Sequence, residues 1–494
     1  MTEDAPHNSQ QDFQDLKKKS LKGMSALFVR QVLVKVIFFV GNIILARLLA
    51  PQIFGIYAIV QFVVQFFSTF GDVGIGAALI QKKGDLSREE LSTTFWLQQM
   101  LVVSVVAVVV LAAPLALKVY PTLPPVGVWL IRAMAVSFLF SSLKTIPAIL
   151  MERNIDFNRI AWVDITENLA YQGVAVVCAY LGYGVWSFVA AAITRAFLGA
   201  VLIYALSSWR PSFHYRFESV KGLVRFGLPY QGNQILNFIK DSVTPLFVGV
   251  YAGAAAVGYL RWACNFAFVP LVLSETFGRV AFPAFSKLQD DAALLGRTVE
   301  KSIRMMTFVM LPVTAILVAL APEITHVFYT DKWLPGLNAF YLYSFTPLLM
   351  GIALPMFSGI LCLGKSNIIL AMTVVLVAIE WGIGAPLVLK FGFVGIAVTQ
   401  PITYILFVLV YKWLLSRNSV EIRVIPNVAS NLLVTLTMVA VIELIKGLFV
   451  PNLIFVILVS AASATLYWGL SYILNRQNMT EAISYFRQVK GSKC

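Results

Sequence analysis

Apolar runs of roughly 18 residues or more recur along the whole chain, broken by short polar connections. Fourteen can be drawn: 25–49, 53–72, 92–117, 127–150, 160–181, 184–206, 226–250, 256–282, 303–321, 338–362, 367–389, 394–415, 427–448 and 452–474. Inside a bilayer, each backbone N–H and C=O has to be satisfied within the segment that carries it, so each run is predicted to be an α-helix. Connections as short as Ala50-Pro51-Gln52 make neighbouring helices antiparallel hairpins. The pattern predicts an all-α polytopic membrane protein with about 14 transmembrane helices.

Short signatures return at a nearly fixed offset. Phe54-Gly55-Ile56-Tyr57 opens the second span and Val257-Gly258-Tyr259 the eighth, about 203 residues later. Tyr183-Gly184-Val185-Trp186 opens the sixth and Phe393-Val394-Gly395-Ile396 the twelfth, about 210 later. An offset of six spans keeps the two copies in one orientation, a pattern found in transporters whose site lies between repeated halves. The predicted organisation is an N-terminal tail 1–24, a six-helix lobe 25–206, a connecting loop 207–225, a second six-helix lobe 226–415, two further helices within 416–474 and a tail 475–494.

Charge orients this arrangement. The chain has 494 residues, 59% hydrophobic and 13% charged, with a net charge of +14. With the N-terminus inside, 25 of the 38 Lys and Arg residues fall on the cytoplasmic side and four, Lys118, Lys332, Lys390 and Lys446, on the other. The positive-inside rule then places both termini in the cytoplasm. It also assigns most of the positive charge to membrane lipid headgroups, so nucleic acid is not expected as a partner. No short apolar core with a small-residue cleavage site precedes the first span, so a cleaved signal peptide is not expected. Cys178, Cys264, Cys362 and Cys494 lack metal-ligand spacing, and His7, His214 and His326 are far apart. Neither a disulfide framework nor a metal site is expected, and no cofactor.

Nine Lys or Arg residues lie inside the apolar spans. A charge at the bilayer centre costs several kcal/mol unless it faces a protein interior or a water-filled cavity. Span seven carries Asn233, Asn237, Lys240 and Thr244 on one face, with Asp241 beside them. Span one carries Gln31, Lys35 and Asn42, with Arg30 adjacent; span two carries Tyr57, Gln61, Gln65, Ser68 and Asp72. Span five carries Asp164, Glu167, Asn168 and Tyr171, and span eight Arg261, Asn265, Glu275 and Arg279. Lys144 and Arg195 add cations in spans four and six. Spans one, two, seven and eight hold matching places in the repeat, so one cavity lined by both halves is expected.

Structural roles account for part of this set. Arg47, Asp72, Arg279 and Glu443 lie near span ends and fit snorkelling to the interface. Glu275 and Arg279 fit an i, i+4 pair, Asp164 and Glu167 fit a brace, and Lys240 with Asp241 fits a self-neutralising pair. Lys35, Arg195 and Arg261 have no acidic partner nearby in sequence, which favours contact with an anionic ligand. Pyrophosphate suits such cations, because Lys and Arg give its oxygens charge-assisted hydrogen bonds. The candidate substrate-binding residues are Arg30, Lys35, Asn42, Gln61, Gln65, Lys144, Arg195, Asn237, Lys240, Arg261 and Asn265, the amides serving sugar hydroxyls. A buried carboxylate can exchange protons or bind Na⁺. Asp241 and Glu380, then Asp164 and Glu167, are the candidates for coupling to an H⁺ or Na⁺ gradient.

Several stretches resemble a known family. Ala46-Arg47-Leu48-Leu49-Ala50-Pro51-Gln52-Ile53-Phe54-Gly55-Ile56-Tyr57, Asp72-Val73-Gly74-Ile75-Gly76-Ala77-Ala78-Leu79-Ile80-Gln81 and Leu86-Ser87-Arg88-Glu89-Glu90-Leu91-Ser92-Thr93-Thr94-Phe95-Trp96 are similar to the opening of bacterial polysaccharide flippases. Met151-Glu152-Arg153-Asn154-Ile155-Asp156-Phe157, Gly184-Val185-Trp186-Ser187 and Arg279-Val280-Ala281-Phe282-Pro283-Ala284-Phe285-Ser286-Lys287-Leu288-Gln289 continue the resemblance to about residue 290. It implies a Wzx-type flippase of the polysaccharide-transporter branch of the MATE/MOP superfamily, nearest the exopolysaccharide and colanic-acid type. The implied fold is two six-helix lobes plus two helices in the bacterial inner membrane. The implied cargo is an undecaprenyl-pyrophosphate-linked oligosaccharide, moved to the periplasmic leaflet by alternating access for exopolysaccharide or O-antigen-type synthesis. A polysaccharide polymerase and a chain-length regulator are implied partners. Superfamily relatives place cavity arginines in spans corresponding to one, two and eight; here Arg30 and Lys35 cover span one and Arg261 span eight, while span two has only glutamines and Asp72.

Two other function classes compete. A cation-coupled small-molecule antiporter would need a cavity dominated by carboxylates and aromatics, whereas these spans are richer in Lys and Arg. A membrane enzyme would need large catalytic loops or a carboxylate–metal constellation, and the longest loop here is about 20 residues, so no catalytic residues are assigned.

Overall fold

The structure is a computed structural model that describes residues 30–31, 33–69, 76, 79–80, 82, 84, 86–213, 215–216, 218, 220–222, 231–232, 234–235, 238–239, 242–271, 281, 284–365, 367–447 and 452–474. Every regular element among them is helical. Ten of the described helices are long and apolar enough to cross a membrane, by length and composition. They overlap predicted spans two, three, four, six and nine to fourteen. Span five is present as the 24-residue helix Phe157–Tyr180, whose polar face lowers its hydropathy below that of the others. Spans one and eight appear as helices over 33–48 and Gly253–Ala267, and span seven is described mainly at its end, Thr244–Tyr251. The chain is a multi-pass membrane protein that divides into two compact units, residues 1–255 and 256–494.

The first unit holds α1 (33–48), α2 (Pro51–Ser68), α3 (Arg88–Ala112), α4 (Val126–Leu143), α5 (Thr145–Arg153), α6 (Phe157–Tyr180) and α7 (Trp186–Leu206). Proline in the first turn of α2 needs no N–H partner there and fixes the entry angle. A capping box starts α3: Ser87 Oγ accepts from the Glu90 N–H at 3.1 Å and Glu90 Oε2 accepts from the Ser87 N–H at 3.0 Å. Glu90 also pairs with Lys82. The Ser87–Glu90 stretch of the family-like sequence is thus a helix start. Fully buried Ile59, Val60, Leu130, Ile131, Ala135 and Val189 form the core of α2, α4 and α7. Gly55 lets two backbones meet, since a Cβ there would lie 1.6 Å from the carbonyl oxygen of Ala254. In lipid, such close packing of small residues replaces the hydrophobic drive that holds soluble helices together.

The second unit holds most of α8 (Gly253–Ala267), then α9 (Ala292–Ala319), α10 (Phe345–Cys362), α11 (Asn367–Ile379), α12 (Thr399–Arg417), α13 (Val424–Lys446) and α14 (Leu453–Leu474). Leu295, Val299, Ile303, Met356 and Leu415 centre its core. A polar seam joins α9 to α13. Arg304 donates from Nε and Nη2 to Asn427 Oδ1 at 3.0 and 2.8 Å, and Asn431 Nδ2 donates to Arg304 O and Thr307 Oγ1 at 3.0 and 3.1 Å. Pro312 and Pro355 lie inside helices, and a π-helical turn, Glu380–Gly384, follows α11.

Candidate functional site

The polar stripe of span five falls on one face of α6, because Asp164, Glu167, Asn168 and Tyr171 are spaced three to four residues apart. Each carboxylate on it meets a cation from elsewhere in the fold. Arg30 Nε lies 3.0 Å from Asp164 Oδ2. Lys144 Nζ lies 2.6 Å from Glu167 Oε1, and Arg195 Nε lies 3.5 Å from Glu167 Oε2. Five of the residues singled out in the sequence thus form two ion clusters with one more cation than carboxylate. Arg195, which has no acidic partner nearby in sequence, finds one in Glu167 across the fold. Sequence proximity could not reveal it, because Glu167 approaches from a different helix.

Lys144 is held in place by its neighbours. It occupies the break between α4 and α5. Ser142 Oγ donates to Gln99 Oε1 at 3.0 Å, Gln98 Nε2 donates to Thr145 Oγ1 at 3.2 Å, and Tyr204 O–H donates to the carbonyl of Leu143 at 3.0 Å. The break is thereby tied to α3 on one side and α7 on the other.

Burial within the cluster is uneven. The Glu167 side chain is 0% exposed, Lys144 27% and Arg195 45%. Glu167 Oε2 accepts no hydrogen bond, so Arg195 serves it by charge alone. Arg195 lies near the middle of the 21-residue α7 with its guanidinium half-exposed, and a charge at that depth is costly in lipid and favourable where it faces a protein interior or a water-filled cavity. The arrangement can present two cations, anchored on one carboxylate, to an anionic group.

The other candidates in this unit are placed as follows. Asn42 Nδ2 donates to Phe38 O of its own helix at 2.7 Å. Gln61 Oε1 is buried without a hydrogen bond, and Gln65 is exposed. Lys35 is half-buried and has an interaction partner. Tyr171 O–H donates to Tyr57 Oη at 3.3 Å, joining the stripes of α6 and α2.

In the second unit, Glu380 opens the π-helical turn and lies within electrostatic reach of Cys264, Tyr343 and Tyr404. Arg261 acts on Cys264 from the same helix, so two residues chosen separately share a neighbourhood. π-Turns concentrate at functional positions in helices. Asn265 is exposed. Asn233, Asn237, Lys240, Asp241, Asp72, Glu275 and Arg279 lie outside the described residues.

A family model described as polysaccharide biosynthesis protein matches residues 44–337. The chain belongs to this family. It is 29% identical over 299 residues to the succinoglycan biosynthesis transport protein ExoT of Rhizobium meliloti (strain 1021), covering 60% of this chain and 59% of ExoT. It is 25% identical over 362 residues to the lipopolysaccharide biosynthesis protein WzxC of Escherichia coli (strain K12), covering 72% of this chain and 71% of WzxC. The fold is similar to that of the lipid II flippase MurJ in an inward closed conformation, with a TM-score of 0.73 at 16% identity over 92% of this chain and 99% of MurJ. It is also similar to an inward-facing multidrug MATE transporter of the MOP superfamily, with a TM-score of 0.59 at 16% identity over 80% of this chain and 98% of that one. The matched stretch 44–337 contains Lys144, Asp164, Glu167 and Arg195.

Two residues of the cluster were not among the sequence candidates. Tyr204 braces Leu143, and Gly199 faces Glu167. A glycine or tyrosine in an apolar helix carries no periodic or charge signal of its own.

Proposed function

We propose that this protein is a flippase that moves an undecaprenyl-pyrophosphate-linked oligosaccharide repeat unit from the cytoplasmic to the periplasmic leaflet of the bacterial inner membrane by alternating access. The observation that carries this reading is the Lys144–Glu167–Arg195 cluster, in which two cations share one fully buried carboxylate at mid-helix depth. The excess cation suits the pyrophosphate, and the lipid tail stays in the bilayer. Family membership and the similarity to ExoT and WzxC support a role in polysaccharide synthesis.

On this reading the protein is a transporter rather than an enzyme, with both termini cytoplasmic. A polymerase and a chain-length regulator take over its product in the periplasm. Transport is coupled to an H⁺ or Na⁺ gradient. Asp241 and Glu380, then Asp164 and Glu167, are the carboxylates proposed for coupling, and Glu380 stands at the opening of a π-helical turn.

The test is complementation of a deletion strain. Lys144→Gln/Arg195→Gln should lower polymer export about tenfold or more at normal protein level, matching the loss of ~1.4 kcal/mol or more of charge-assisted binding. Full export by that variant would sink the site assignment. Drug efflux that depends on this protein, with surface polysaccharide unchanged by its deletion, would favour the antiporter.

A further inference from the structure

Glu167 is seated by the absence of a side chain on the neighbouring helix. A Cβ built on Gly199 would fall 1.7 Å from Glu167 Oε1, 2.5 Å from Cδ and 3.1 Å from Cγ. Gly199 is buried one turn beyond Arg195 on α7, so one helix face supplies both a cation and the gap. Helix formation itself does not favour glycine, which costs about 1 kcal/mol relative to alanine in a helix interior. The carboxylate fills the volume that a side chain at 199 would take, and its two oxygens face Lys144 and Arg195.

We propose that Gly199 and Glu167 are positioning residues: the glycine admits the carboxylate, and the carboxylate holds Lys144 and Arg195 at the spacing in which both meet an anionic oxygen of the cargo. The identity of that anion rests on the flippase reading. The seating itself does not.

Two roles for the Glu167 charge predict opposite outcomes. If it only neutralises, removing it leaves two bare cations and strengthens attraction for an anion. If it positions, removing it frees two long side chains, and the cost of re-ordering them weakens binding. The fully buried carboxylate between two cations that retain solvent exposure favours positioning. A methyl at 199 would press on the end of a side chain rather than on backbone, so Gly199→Ala evicts the carboxylate without forcing α6 and α7 apart.

The test measures binding of inorganic pyrophosphate to the full-length protein in nanodiscs, together with its thermal stability. Gly199→Ala and Glu167→Gln should each weaken pyrophosphate binding about tenfold. Glu167→Asp, one methylene shorter, should restore much of the loss in the Gly199→Ala background. Tighter binding by Glu167→Gln overturns the proposal. So does Gly199→Ala protein that binds as well as wild type, or a loss that Glu167→Asp does not rescue. Should Gly199→Ala fail to accumulate, accumulation becomes the readout: recovery by Glu167→Asp supports the seating, and its absence overturns it. If wild-type protein binds no pyrophosphate and its deletion leaves polymer export intact, the flippase reading falls. Rescue of thermal stability by Glu167→Asp then still decides whether the seat exists.

Discussion

Lys144 Nζ stands 2.6 Å from Glu167 Oε1, with the carboxylate wholly buried and the lysine partly exposed. That difference sets the stability of the pair. Lys144→Ala strands a buried carboxylate with one oxygen unserved, whereas Glu167→Gln releases cations that can reach water. Lys144→Ala should therefore cost about 2–3 kcal/mol and Glu167→Gln only about 1 kcal/mol. The double variant should recover most of the Lys144→Ala loss. Thermal unfolding in detergent reads the cycle, and equal losses from the two single variants would contradict the argument.

Arg153 anchors a connecting segment. Its guanidinium donates to the carbonyls of Leu79, Lys82 and Gly84, at 2.9 Å for Lys82 and 2.6 Å for Gly84. Lysine has the charge but not the planar fork, so it cannot serve three carbonyls in this geometry. Arg153→Lys should weaken the segment by about 1.5 kcal/mol and raise cleavage by lysyl endopeptidase after Lys82 about tenfold. Cleavage at the wild-type rate would show that the segment is held by other contacts.

The seam between α9 and α13 gives a graded pair of losses. Asn427→Leu removes the acceptor of two hydrogen bonds from a charged guanidinium. Asn431→Leu removes two donations to neutral oxygens. Charged groups lose more when a partner is deleted, so Asn427→Leu should cost about 2–3 kcal/mol and Asn431→Leu about 1–2 kcal/mol. Melting temperatures in the reverse order would argue that the buried amide of Asn431, not the guanidinium, carries the seam.

Hydropathy made the membrane spans legible, because burial in lipid demands a long apolar helix whatever it packs against. The stripe on α6 was legible too, since Asp164, Glu167, Asn168 and Tyr171 carry their spacing in the sequence. Their partners were not. Arg30, Lys144 and Arg195 come from other parts of the fold, and which segments meet is decided by packing rather than by local pattern. Arg195 therefore showed no partner in its own stretch of sequence, although it faces Glu167. The stretch around Ser87, which carries part of the family resemblance, holds a capping box that starts a helix. Gly199 left no trace in the sequence, as its role consists of the side chain it lacks.

Coupling is the property that Glu380 tests. It opens a π-helical turn, where the local hydrogen-bond pattern is already broken, and it lies near Cys264, Tyr343 and Tyr404. A carboxylate that takes up and releases a cation must change its charge as the helix changes shape, and an irregular turn lowers the cost of that change. Glu380→Gln should therefore remove the dependence of transport on an imposed H⁺ or Na⁺ gradient while leaving downhill exchange between leaflets. The measurement is cargo movement in proteoliposomes with and without each gradient. If Glu380→Gln still accelerates in response to a gradient as wild type does, the coupling carboxylate lies elsewhere, and Asp241 becomes the next to substitute.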